Sequence, residues 1–253
     1  MRQRKVKNLE EKLAELSAFK VEEPALHRGK WAQLFSVRTV AFDDGEKRVT
    51  TAVPGSDEKK DINAKPKVFL EIGCGKGRFL NAHAAGNHSA LYIGIEGQET
   101  VILRALEKAE ELKSSNIVFI GSFVRDLSEI FADGELDGIY LNFSDPWPKA
   151  RHAKRRLTYR DYLKQYKRII AAGGFLEFKT DNDALFDFTL EEIEECGFRP
   201  DMSSRDLHAE GAESETFREE LKARNSFADA ITTEYEEKFM AAGKNINFVR
   251  LQF

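Results

Sequence analysis

The stretch VFLEIGCGKGRFL, residues 68–80, joins a short apolar run to three glycines at alternate positions and then to a helical pattern. The run is too short for a helix and is built of the large apolar residues that strands buried on both faces carry. Gly73, Gly75 and Gly77 fall where this strand turns into the following helix. Glycine there permits positive φ and lets backbone approach a ligand, while the free N–H groups of the helix start point into the crevice. Such a strand, glycine turn and helix open a doubly wound α/β sheet.

The same texture continues downstream. Short apolar runs at Leu91–Ile95, Ile117–Ile120, Gly138–Phe143 and Phe175–Phe178 alternate with helical spacing at Arg78–Ala85, Gln98–Leu112, Asp126–Phe131, Thr158–Ala171 and Ala184–Cys196. That alternation predicts a parallel sheet, and the alternating Ile246–Phe253 predicts a last, antiparallel strand. Upstream, Leu9–Phe19 has the spacing of one helix, and residues 43–67 are polar, charged and broken by Pro54, Gly55 and Pro66. The expected organisation is a basic, helical extension over 1–42, a polar loop or insertion over 43–66 and the main domain over 67–253.

Composition narrows the classes. The chain has 253 residues, 42% hydrophobic and 32% charged, enough for one substantial core. It lacks the ~20 consecutive apolar residues of a membrane span. The N-terminal charges have no apolar segment behind them, so no secretory signal is read and the cytoplasm is the expected address. Cys74 and Cys196 form no CxxC pair, so neither a disulfide framework nor a metal site is expected. A net charge of −4 argues against indiscriminate polyanion binding and leaves the question to where the basic residues cluster.

The glycine spacing is GxGxG rather than the dinucleotide fingerprint, which weakens a nicotinamide assignment. In LYIGIEG the second strand ends with Glu96, about twenty residues past the loop, where an acid usually accepts ribose hydroxyls. Glu71 adds a second carboxylate just before the glycines. An acidic entrance suits a cationic ligand such as S-adenosylmethionine (SAM).

Beyond the fourth core strand stands SDPWPKARHAKRR, residues 144–156. Asp145 should face the same crevice as Gly75 and Glu96, because ligands bind at the carboxyl ends of the strands. Pro146 and Pro148 restrict their own φ and the residues before them, which stiffens the loop. Trp147 is suited either to stacking on an extruded base or to packing within that loop. Lys149, Arg151, His152, Lys154, Arg155, Arg156 and Arg160, followed by Lys164, Lys167 and Arg168, form a phosphate footprint if they share a surface, and a solvated face otherwise.

LEIGCGKGRF, YIGIE, YLNFSDPWPKARHAKRRLTY, FKTDN and TEYEEKF, in that order, resemble the bacterial tRNA (guanine-N7)-methyltransferase family. Its members methylate a guanine of the tRNA variable loop using SAM. The resemblance runs from Lys67 to the end, and GKW at Gly29–Trp31 is similar to the family's N-terminal region. It implies a Rossmann-like, doubly wound, mostly parallel seven-stranded sheet with helices on both faces and an antiparallel last strand. It also implies SAM as cofactor, held by Glu71, the glycines, Glu96 and Asp145, with Asp145 catalytic. Lys149, Asp181 and Thr233, Glu234, Tyr235 and Glu236 correspond to tRNA or guanine contacts, and the charge run itself places Arg151, His152, Lys154, Arg155 and Arg156 on the tRNA backbone.

One position departs from the family. Where many members carry an acid near the adenine, this chain has GSFVRD, with Phe123 at the equivalent position, so the contact falls to Phe123 or to the neighbouring Ser122 backbone. By pattern alone TEYEEKF is an acidic amphipathic helix, and His208, a lone histidine in a polar loop, is expected to do nothing measurable, with RNA binding as the alternative. Two other functions compete: SAM-dependent methylation of an amino nitrogen in another nucleic acid or a protein, and a non-catalytic RNA-binding subunit. Monomer and homodimer both remain open.

Overall fold

The structure, a computed structural model, describes residues 6–35, 65–226 and 228–253. Most of the polar insertion and residues 1–5 of the basic arm lie outside these. Seven strands form one sheet in the order β3-β2-β1-β4-β5-β7-β6. They are β1 (Lys67–Ile72), β2 (Ala90–Ile95), β3 (Ile117–Ile120), β4 (Leu136–Asn142), β5 (Ile170–Thr180), β6 (Met202–Ser204) and β7 (Asn247–Gln252). The first five run parallel, and β7 pairs antiparallel with both β5 and β6.

Both sides of the sheet are covered, and the charged residues its strands carry, Glu71, Glu177, Lys179 and Arg250, are buried with them. One side is aliphatic, with Val68, Leu70, Leu91, Ile93, Val118, Ile139 and Leu141 in one cluster. The alternate positions Phe69, Tyr92, Phe119, Tyr140 and Phe175 belong to a second, largely aromatic cluster. Helices α2 (Arg78–Gly86) and α3 (Glu99–Glu111) pack on the aromatic side. Helices α4 (Arg160–Ile169) and α5 (Asp183–Glu195) close the aliphatic side. Gly138 in β4 makes room for this packing, since a Cβ there would stand 2.5 Å from the Phe175 ring.

The described part of the N-terminal extension is not a separate body. Helix α1 (Leu9–Glu15) contributes Leu13 to the aromatic-side cluster, and Lys20 forms a parallel bridge to Phe119 beyond the edge of β3. Trp31 is enclosed in the aliphatic core and donates its indole N–H to the Ile130 carbonyl at 3.1 Å. Burial of so large a side chain is worth roughly 3 kcal/mol.

Several boundaries differ from the sequence expectation. The helix expected over Leu9–Phe19 ends at Glu15, and Ser17–Phe19 is a 3-10 turn. Asp126–Phe131 is not a helix: Asp126 accepts the Ser128 N–H, and only the 3-10 turn Leu127–Glu129 forms. The expected helix over Thr158–Ala171 stops at Ile169, where β5 begins five residues before the apolar run that predicted it. Strand β6 and helix α6 (Ala212–Ala223) add to the elements read from the pattern, while α7 (Glu234–Ala241) forms from TEYEEKF as its pattern predicts. These last elements cover a third, smaller core around Met202, Leu207, Leu221, Ile246 and Phe248.

Candidate active site

Because β1, β2, β4 and β5 are parallel, their carboxyl ends lie along one edge of the sheet. The chain order reverses between β1 and β4, and ligands bind at such a switch point. Gly73, Gly75 and Gly77 follow β1 with φ of 75°, 56° and 70°. A Cβ on Gly77 would stand 2.6 Å from that of Ala105, so this glycine also lets α2 start close to α3. The Gly73 and Cys74 N–H groups donate to the Ile95 carbonyl and tie the loop to the end of β2.

Glu96 is fixed from two sides: Oε2 accepts the Gly75 N–H at 3.1 Å and Oε1 the Gln98 N–H at 2.9 Å. Each oxygen keeps a lone pair for a further donor. Glu71 is only 2% exposed. Its Oε1 accepts from Asn142 Nδ2 at 2.8 Å, a bond that joins β1 to β4 at the switch point, while Oε2 is buried without a hydrogen-bond partner. Burial pushes its acid up to about 7, against the opposing Asn142 bond and the Lys179 charge. Phe123 is 80% exposed, but its ring lies against Gly97, where a Cβ would come within 2.4 Å. Cys74 is buried, which raises its thiol well above the ordinary range and marks it as a packing residue.

Asp145 follows β4 and is exposed. The chain leaves the strand at Phe143 with φ 52°, so the expected extension of β4 to Phe143 does not occur, and Trp147 has φ 41°. Positive φ at bulky residues persists only where surroundings impose it. Here Arg156 donates to the carbonyls of Pro146 and Trp147 at 3.0 and 3.1 Å. The Trp147 ring has the Arg155 guanidinium 4.9 Å from its centroid and His152 edge-on at 5.7 Å. Trp147 is therefore packed into its own basic segment.

The basic tail divides. Lys149, Arg151, Lys154 and Arg155 are exposed on or beside the 3-10 segment Ala150–Arg155, with His152 half-buried among them. Arg156 differs from its expected place on that surface: its guanidinium lies 4.2 Å over the Phe188 ring and braces the Asp145 loop. Arg160 is engaged by Glu192 and Glu195, and Arg168 by Asp133. The remaining cationic surface is narrower than the linear charge run.

Beyond β5, Asp181 pairs with Lys244 at 2.6 Å, and Asn182 caps α5 by accepting the Leu185 N–H. Lys179 is buried and donates to Glu236 at 2.7 Å and to the Ala228 carbonyl at 3.0 Å. Glu236 is fully buried. Its other oxygen meets His208 Nε2 at 2.8 Å, so the histidine expected to be idle belongs to this hub. Burial raises the Glu236 acid, but the His208 bond and the Lys179 charge outweigh it and hold the group below the usual carboxylate range. Thr233 and Glu236 form a reciprocal capping box at the start of α7. Glu234 pairs with Lys76 of the glycine loop and with Lys108, Glu237 pairs with Arg78, and Tyr235 is exposed.

Among the described residues no cluster of His, Cys, Asp or Glu is arranged to hold a metal ion, and no helix is long and apolar enough to cross a membrane. A family model described as "Putative methyltransferase" matches residues 65–249. A tRNA (guanine-N(7)-)-methyltransferase of Mesoplasma florum is 47% identical over 73% of this chain and 80% of its own length. One from Bacillus cytotoxicus is 36% identical over 96% of this chain and 93% of its own. The solved 16S rRNA methyltransferase KamB, 10% identical, superposes with a TM-score of 0.51 over 74% of this chain and 87% of that one, a likeness of fold alone.

Proposed function

This chain belongs to the tRNA (guanine-N7)-methyltransferase family, and from that premise we propose that its crevice binds SAM and directs methyl transfer to N7 of a variable-loop guanosine in tRNA. The observation that carries the assignment is the exposed carboxylate of Asp145, held by a braced loop at the same sheet edge as Glu96 and the glycine turn.

The residues fit the cofactor. Glu71 has a buried oxygen without a partner, suited to an ammonium group, and Glu96 has lone pairs left for ribose hydroxyls. Gly73, Gly75 and Gly77 keep the backbone open beneath it, and Phe123 against Gly97 offers an apolar face at the adenine side where the acid is missing. SAM supplies, when bound, an electrophilic methyl on a sulfonium.

Guanine N7 has a lone pair and no proton, so this chain needs no general base there. Its work is positioning, which supplies roughly 7–11 kcal/mol in favourable cases, and a negative potential where positive charge arrives on the base. Asp145 provides that potential, directly or by accepting from the N1–H and N2–H edge, and Asp181, which follows the neighbouring strand β5, is the second acid we assign to that edge. Lys149, Arg151, His152, Lys154 and Arg155 hold tRNA phosphates, and the enzyme acts where tRNA is, in the cytoplasm.

Calorimetric titration with SAM tests the cofactor assignment. Glu71 ordinarily titrates at 4.5 and here at about 7. A raised acid contributes stability that is complete below the lower value and lost as pH rises through the upper one. An ammonium ligand favours the ionised form but itself loses its proton at about pH 8, so SAM affinity should rise about fivefold from pH 6 to pH 7.5 and then level off, with proton release below pH 7. Glu71→Gln should bind more weakly and with a flat profile. The same slope in both proteins would remove Glu71 from the site.

A further inference from the structure

We propose that Arg156 is a positioning residue for methyl transfer, which holds the Asp145 carboxylate in place through the backbone of its loop, and is not one of the cations that bind tRNA phosphates. This rests on the Asp145 crevice being the methyl-transfer site. The loop that carries Asp145 is bounded by Phe143 with φ 52° and Trp147 with φ 41°. Neither is glycine, so this conformation persists only while its surroundings impose it. Pro146 restricts the backbone of Asp145, and the loop still needs an anchor in the domain.

Arg156 supplies that anchor. Its Nε donates to the Pro146 carbonyl at 3.0 Å and its Nη2 to the Trp147 carbonyl at 3.1 Å, so one planar fork grips the two residues that follow Asp145. The same guanidinium lies 4.2 Å from the ring centroid of Phe188 in α5. Phe188 packs against the aliphatic core and stacks on Tyr159, with centroids 6.5 Å apart and planes 12° apart. Contact thus runs from the core through Phe188 and Arg156 to the carbonyls beside Asp145. Arg156 is half-buried in this way, whereas its neighbour Arg155 is exposed.

A carboxylate that acts through its field must be held closely, since a misplacement of about 1 Å costs about a hundredfold in rate. Lysine separates the two roles open to Arg156. It keeps the charge that a phosphate requires, but it is a point charge and cannot reproduce the fork.

The test measures single-turnover methylation of unmodified tRNA at saturating enzyme and SAM, and tRNA affinity as a function of salt, for Arg156→Lys and Arg156→Met, each alone and combined with Asp145→Ala. Both single variants should be slower by about ten- to a hundredfold, with the salt slope of tRNA binding at its wild-type value. A phosphate contact would instead leave Arg156→Lys at the wild-type rate and lower the slope of Arg156→Met by about one. In the Asp145→Ala background neither substitution should slow the reaction further, because Arg156 acts through Asp145; a merely structural role would add its own loss. Phe188→Leu, which removes the ring beneath the guanidinium and changes no charge, should lower the rate without moving the salt slope. Arg156→Lys at the wild-type rate, a lower slope in Arg156→Met, or losses that add to that of Asp145→Ala would each overturn the proposal alone. Asp145→Ala transferring methyl at the wild-type rate would overturn the underlying assignment and this one with it.

Discussion

Replacing Asp145 with alanine should slow single-turnover methyl transfer by about a hundred- to a thousandfold, the usual effect of deleting one preorganised electrostatic group. In the proposed reaction the positive charge leaves sulfur and arrives on guanine beside this carboxylate, so the proposal makes its contribution largest in the transition state. Affinity for tRNA should change little, because the exposed cations Lys149, Arg151, Lys154 and Arg155 remain. Asp145→Asn keeps the shape and removes the charge, and should stay within a factor of about ten of the alanine variant if the potential dominates. Rapid-quench measurement at saturating tRNA and SAM checks both. Asp145→Ala transferring methyl at the wild-type rate would take Asp145 out of the reaction.

Glu236→Ala should destabilise the fold by about 3–5 kcal/mol, since it strands the buried Lys179 ammonium without its carboxylate. For a domain of this size that lowers the melting temperature by about 10 °C. Both partners are almost wholly buried, at 2.7 Å, so the penalty is not relieved by water. The double replacement Lys179→Met with Glu236→Leu should recover much of the loss, because a buried pair replaced by apolar groups costs far less than a pair broken. Calorimetric melting of the three variants is the check. A single variant melting like wild type would show that the hub does not hold α7 in place.

The parts of the fold that were legible are those whose signal is local. Strands buried on both faces, such as Leu91–Ile95 and Ile117–Ile120, appear as uninterrupted apolar runs, and the glycine turn stands directly after Val68–Ile72. Strand β6 has only three residues, too few to carry a period, and α6 buries Leu221 alone among its twelve, so no apolar stripe marks it. The candidate site was legible as a set of residues but not as a division of labour. Nothing in KARHAKRR distinguishes Arg156 from Arg155; what turns Arg156 inward is Phe188 in α5 and two carbonyls of the preceding loop. Likewise Glu236 and Tyr235 are neighbours in TEYE, yet Lys179 and His208 bury the first and leave the second facing outward. Those partners come from distant segments, and only packing brings them together.

Incubating the protein with unmodified tRNA and methyl-labelled SAM, digesting the product and identifying the labelled nucleoside shows which atom receives the methyl group. The structure and the family together predict label in 7-methylguanosine from the variable loop. Label on an amino nitrogen of any base, or tRNA bound and left unmethylated, would contradict it.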